Sequence, residues 1–246
     1  MDIIMATIIS LVVGLTGTLC GGYIILTRTG SNLRQQSWLL GFSGGVMVVV
    51  VVFDLLPESL HFGGVYPMIA GLLMGFMFIQ FADPLLQSLS WYKKRGFSRY
   101  IKVGILLGMG IGAHNFPEGV ALGTTYIAGR EVSNWMGLAL LMAIHNIPEG
   151  MVMASAFKIG NVNIYKIFMA LVLVEIPMAL GGTAGAFLGK ISPLAISMSL
   201  GFAGGAMFLL VAKELLPLAK KLAGFFAVSF GFCIGALVGF ILVSLI

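Results

Sequence analysis

The chain has 246 residues, of which 59% are hydrophobic and only 9% charged, with a mean hydropathy of +1.06. Soluble domains carry about 25% charged residues, so a chain this apolar is excluded from the water-soluble globular class. The formal charge of +5 lies in short loops beside apolar runs and does not mark nucleic-acid binding.

A membrane-spanning helix needs roughly 20 apolar residues. Apolar runs between polar breaks predict eight such helices, near 3–26, 38–58, 65–83, 103–127, 135–157, 165–188, 194–218 and 222–246. The expectation is an all-α integral membrane protein, one transmembrane domain over 1–246 with no soluble domain. The first run is of full spanning length and lacks a basic leader, so it reads as a retained helix. Cys20 and Cys233 are lone thiols in apolar runs, with no CxxC pattern, and are expected to pack inertly.

The loops give an orientation. Arg28, Arg34, Lys93, Lys94, Arg95, Arg99, Lys102, Lys158, Lys166, Lys220 and Lys221 fall on one side, eleven of the 14 basic residues. The other side has Arg130 and Lys190, and Lys213 sits within a span. The positive-inside rule then puts both termini outside the cytoplasm, as expected of a multi-pass protein of the cell membrane. Glycines spaced by four, as in Gly71/Gly75, Gly104/Gly108/Gly112, Gly181/Gly185/Gly189 and Gly231/Gly235/Gly239, mark helix faces that permit close packing in lipid.

The second run opens GlyPheSerGlyGlyValMet at Gly41, and the seventh opens GlyPheAlaGlyGlyAlaMet at Gly201. Each closes on an acidic residue followed by LeuLeuPro. Both features recur at an offset of 160 residues. On the predicted orientation the two copies run in opposite directions, the mark of an inverted-topology repeat, with spans 1–3 set against spans 6–8 around spans 4 and 5. Shared composition is the alternative source of so short a match.

Ionisable residues deep in a span are costly and are functional candidates by default. The fourth span carries His114-Asn115-Phe116-Pro117-Glu118-Gly119, and the fifth His145-Asn146-Ile147-Pro148-Glu149-Gly150. Histidine and glutamate four residues apart share one helix face. Imidazole nitrogen and carboxylate oxygen suit Zn²⁺ and neighbouring transition metals, and two opposed faces supply four ligands. Glu118 and Glu149 can each bridge two ions, and Asn115 and Asn146 offer amide oxygens to a second. Proline at the fourth motif position frees the carbonyls of Ala113 and Ile144. The two motifs hold two of the three histidines in the chain, which argues against packing alone. Glu175 is a third deep carboxylate, read either as a ligand of the second ion or as a protonated acid bonded to a neighbouring helix. Asp54, Glu58, Asp83 and Glu214 lie nearer span ends, where a place on the ion pathway competes with simple interfacial solvation. His61 is expected in an outer loop.

The paired motif resembles the ZIP family (Zrt-, Irt-like proteins), especially its prokaryotic GufA/ZupT-like branch, and the resemblance covers essentially the whole chain. It implies a binuclear centre between the fourth and fifth helices. By position, His114, Glu118, His145 and Glu149 would form the first site, and Asn115, Glu118, Asn146, Glu149 and Glu175 the second. Met47 would match a second-helix methionine near the metal, and Glu214 an acidic residue on the inner seventh helix. Similar proteins move Zn²⁺, and often Fe²⁺, Mn²⁺, Co²⁺ or Cd²⁺, into the cytoplasm as homodimers with alternating access. Two departures stand out: the loop between the third and fourth helices has no histidine, and Lys213 stands where some members have one.

The expected function is divalent-metal transport with the ion as substrate, no catalytic cofactor, and the lipid bilayer as surroundings. No GxxxxGK[ST] loop is present for ATP, and no HExxH motif supports the rival reading of an intramembrane metalloenzyme. A metal-sensing receptor would bind without moving the ion.

Overall fold

The computed structural model describes residues 2–27, 32–88, 98–127, 132–188 and 192–244, and among these every regular element is helical. Apolar composition forces this outcome, because in lipid each backbone polar group must be satisfied within its own helix or a closed barrel. In chain order the helices are α1 (Asp2–Thr27), α2 (Leu33–Val50), α3 (Leu56–Gly63), α4 (Val65–Ser88), α5 (Arg99–Ile127), α6 (Val132–Ile159), α7 (Ile164–Leu173), α8 (Ile176–Leu188), α9 (Pro193–Leu210) and α10 (Leu216–Ser244). Six stretches among the described residues are long and apolar enough to cross a membrane. The longest, Pro193–Ser244, contains non-helical backbone at Ala223 and Gly224. Of the loop cations, Arg28, Lys93, Lys94, Arg95, Arg130 and Lys190 lie outside the described residues.

Proline shapes three of the spans differently. Pro57 and Pro217 follow π-helical turns at Val51–Leu55 and Val211–Leu215 that join α2 to α3 and α9 to α10. Leu56 N–H donates to Val51 O and Leu216 N–H to Val211 O, a wider step that absorbs the hydrogen bond each proline cannot make. Pro177 acts differently: the expected continuous sixth helix is interrupted at Val174–Glu175, where Glu175 N–H donates to Val172 O at 3.2 Å. Pro117 and Pro148, by contrast, sit inside unbroken helices. His61, expected in a loop, lies in the last turn of α3. Cys20 and Cys233 are exposed on the outer surface of the bundle and do not pack inside it.

The helices meet along glycine seams. A methyl group at Gly41 would strike the backbone of Val228 and Phe232, and one at Gly201 that of Met68 and Leu72. At Gly21 it would strike Ile147 and Met151, and at Gly181 Phe116 and Val120. Side chains follow the same pattern. Ser37 Oγ donates to Ala219 O at 2.7 Å, and Ser59 Oγ donates to Ser197 O at 2.6 Å. Among the described residues, Gly64 and Gly224 are the glycines with positive φ, at 78° and 83°, a conformation open to glycine at little cost. The apolar core runs between α2, α5, α6 and α9 through Leu40, Leu106, Leu107, Val152 and Leu210.

Candidate metal site

The two motifs fall in the middle of α5 and α6, and helical periodicity does the first part of the assembly: His114 and Glu118 stack on one face of α5, His145 and Glu149 on one face of α6. Gly119 and Gly150 complete it. A methyl at Gly119 would collide with Met178 O of α8, and one at Gly150 with Thr18 O of α1, so each motif is pressed against a neighbouring helix backbone.

All six polar motif side chains are buried, none more than 4% exposed. His145 Nε2 lies 2.9 Å from Glu118 Oε1, and His114 Nε2 lies 3.1 Å both from Glu118 Oε1 and from Glu149 Oε1. Glu118 therefore ties the two imidazoles together, whose ring centroids are 6.4 Å apart. Ligand atoms of His114, Glu118 and His145 lie within 4.8 Å of one another, a spacing that can hold a metal ion. Several buried polar atoms around them have no hydrogen-bond partner: Glu118 Oε2, Glu149 Oε2, Asn115 Oδ1, Asn146 Oδ1 and Nδ2, and His145 Nδ1. Buried polar atoms are normally satisfied, and the oxygens gathered here are of the kind a cation accepts as ligands.

Glu175 sits at the interruption between α7 and α8, fully buried. Thr18 Oγ1 donates to its Oε1 at 2.5 Å. Asn115 Nδ2 donates to its Oε2 at 3.1 Å and to Val174 O at 3.0 Å. Thr18 was not singled out from sequence; a threonine among the small residues Gly14, Gly17 and Gly21 of an apolar span was the available signal.

No family model matches this chain. Individual relatives do. The zinc transporter ZupT of Escherichia fergusonii is 31% identical over 227 residues, covering 87% of this chain and 86% of the relative. The zinc transporter ZupT of Escherichia coli O7:K1 is 32% identical over 242 residues, covering 93% and 92%. That of Salmonella paratyphi A is 32% identical over 228 residues. The chain belongs to the ZIP family, on its ZupT-like branch. Like other ZIP proteins it is a multi-pass membrane protein and not an enzyme.

Of the remaining candidate residues of this ZIP chain, Asp54 and Glu58 lie near enough to the cluster to interact with it electrostatically, Asp54 with His145 and Glu118 and Glu58 with Glu118. Met47 is buried in the apolar core of α2. Asp54 and Glu214 occupy the two π-helical turns, each half-buried, and Glu58 is half-buried one turn after Asp54. The side chain of Asp83, in α4, lies outside the described residues. Lys213 Nζ donates to Gln80 Oε1 at 2.6 Å, joining the second π-helical turn to α4.

Proposed function

We propose that this chain carries divalent metal ions, Zn²⁺ first among them, across the cell membrane into the cytoplasm by alternating access. The observation that carries this is the buried His114–Glu118–His145–Glu149 cluster with its unpaired acceptor oxygens. Two imidazoles and two carboxylates match the ligand preference of Zn²⁺, and Fe²⁺, Mn²⁺, Co²⁺ and Cd²⁺ accept the same donor types. The free second oxygens of Glu118 and Glu149 point to a binuclear centre, in which Asn115, Asn146 and Glu175 complete the second position. The names of the relatives support zinc as the physiological cargo.

An inverted repeat of eight spans supports the transport step. The contacts are reciprocal under one shift of 160 residues: Gly41 against Val228 corresponds to Gly201 against Met68, and Ser37 against Ala219 to Ser197 against Ser59. The π-helical turns and the positive-φ glycines repeat at the same shift. Reciprocity of this kind is what two-fold related halves produce. Gly224 then divides Pro193–Ser244 into two spans, and α5 supplies another. Glycine seams bind span 1 to α6, and α5 to α8, while other seams bind α2 to the last span and α9 to α4. This grouping suits two rigid bodies that rock about the metal site.

The test is metal uptake into proteoliposomes holding a chelating fluorophore. Saturable uptake by the wild type should be abolished in His114→Ala/His145→Ala. Near-normal kinetics in that variant would remove the site assignment, and binding without uptake in inserted wild-type protein would remove the transport claim.

A further inference from the structure

The metal motifs lie on α5 and α6, and α1, which carries no motif, packs against both. Thr18 touches α6 directly and reaches α5 through Glu175. Its carbonyl is pressed against Gly150, the residue after Glu149 on α6. Its hydroxyl donates to Glu175 Oε1 at 2.5 Å, and the other oxygen of that carboxylate accepts from Asn115, the residue after His114 on α5. One turn earlier on the same face, Gly14 leaves the space that the carboxylate fills: a methyl there would collide with Glu175 Oε2 and come within 2.7 Å of Met178 Sδ. Thr18 and Glu175 are both wholly inaccessible.

This cradle is specific to one half of the molecule. Glu175 stands where the sixth span is interrupted, whereas α1 runs unbroken from Asp2 to Thr27. In the described contacts the two Glu175 oxygens are held by a donor from α1 and a donor from α5. Asn115 in turn spends its nitrogen on Val174 O and Glu175 Oε2 and keeps Oδ1 unpaired. An amide held in that way offers oxygen, the atom a cation needs.

We propose that Thr18 is a positioning residue of the metal site: its hydroxyl, with the space at Gly14, holds the Glu175 carboxylate against Asn115 and so sets the affinity of the second ion position. The proposal rests on the transport reading given above. Partners that orient a metal's ligands typically change metal affinity by about 10–100-fold when removed.

Thr18→Val is the decisive variant, because it keeps the branched shape and removes only the hydroxyl. In Zn²⁺ uptake by full-length protein in proteoliposomes, Thr18→Val is expected to raise the apparent KM by about tenfold or more, with a smaller change in maximal rate. Thr18→Ser, which restores the hydroxyl, should return the KM to near the wild-type value. Gly14→Ala, which displaces the carboxylate from the other side, should reproduce the Thr18→Val effect. A wild-type KM in Thr18→Val, alongside lost uptake in His114→Ala/His145→Ala, overturns the role of Thr18 and leaves the metal site standing. An equal defect in Thr18→Ser and Thr18→Val overturns it too, since the hydroxyl would not be what matters. No saturable uptake by the wild type overturns the transport reading and this one with it.

Discussion

Glu118→Gln tests the site at its most connected atom. The substitution preserves size and removes one negative charge. Glu118 Oε1 is shared between His145 Nε2 at 2.9 Å and His114 Nε2 at 3.1 Å, and Oε2 is buried without a partner. An amide has one oxygen, so whichever way it turns, one of these two positions receives an N–H₂ group in place of an acceptor. A buried interaction with a charged group is worth about 1.5–3 kcal/mol. With about 1.4 kcal/mol per decade, losing one such interaction with a bound divalent ion weakens binding by about 10- to 150-fold. The assay is proteoliposome uptake over a range of Zn²⁺ concentrations, with protein amount and orientation matched by immunoblot. Among the described residues Glu149 pairs with one imidazole, that of His114 at 3.1 Å, and Glu149→Gln should fall within the same range without exceeding Glu118→Gln. An apparent KM for Glu118→Gln within twofold of wild type would refute the reasoning.

Three more expectations can be checked independently. Gly21→Ala forces a methyl into the Ile147 and Met151 backbone and should destabilise the detergent-solubilised protein by about 1–3 kcal/mol, whereas Gly137→Ala, with open space around it and a gain in helix propensity, should leave thermal stability unchanged or raised; equal effects in a thermal-shift assay would discredit the glycine seams. Zn²⁺ uptake should weaken as external pH falls, because imidazole binds metal only when deprotonated, and a profile that rises towards acid would count against histidine ligation. A C-terminal alkaline phosphatase fusion should be active and the matching green fluorescent protein fusion dark; the opposite pair would reverse the orientation drawn from the loop charges.

The gathering of the His and Glu side chains was legible because it depends on local periodicity. His114 and Glu118 share a face for the same geometric reason as His145 and Glu149, and the sequence had only to bring two such faces together. The response to proline was not legible. Pro57 and Pro217 are absorbed by π-helical turns, Pro177 accompanies an interruption, and Pro117 and Pro148 sit in continuous helices. Each lacks the same N–H, and tertiary packing decides how the helix compensates. Thr18 escaped notice for a related reason: its partner is 157 residues away, and no local pattern encodes that contact. The lone cysteines were misread because an apolar run does not say which of its faces meets lipid.

The interruption at Glu175 also bears on energetics. In a protein made of two inverted copies, exchanging the conformations of the copies exchanges the faces of the membrane, so perfect copies would give the inward-open and outward-open forms equal free energy. In the proposed repeat, one copy has a broken helix with a cradled carboxylate at Val174–Glu175 where the other has the continuous helix α1. Under the proposed alternating access, that local inequality would bias which side the empty carrier faces at rest. Changing the strength of the cradle would then move the resting population as well as the affinity, with no alteration of any residue that touches the ion.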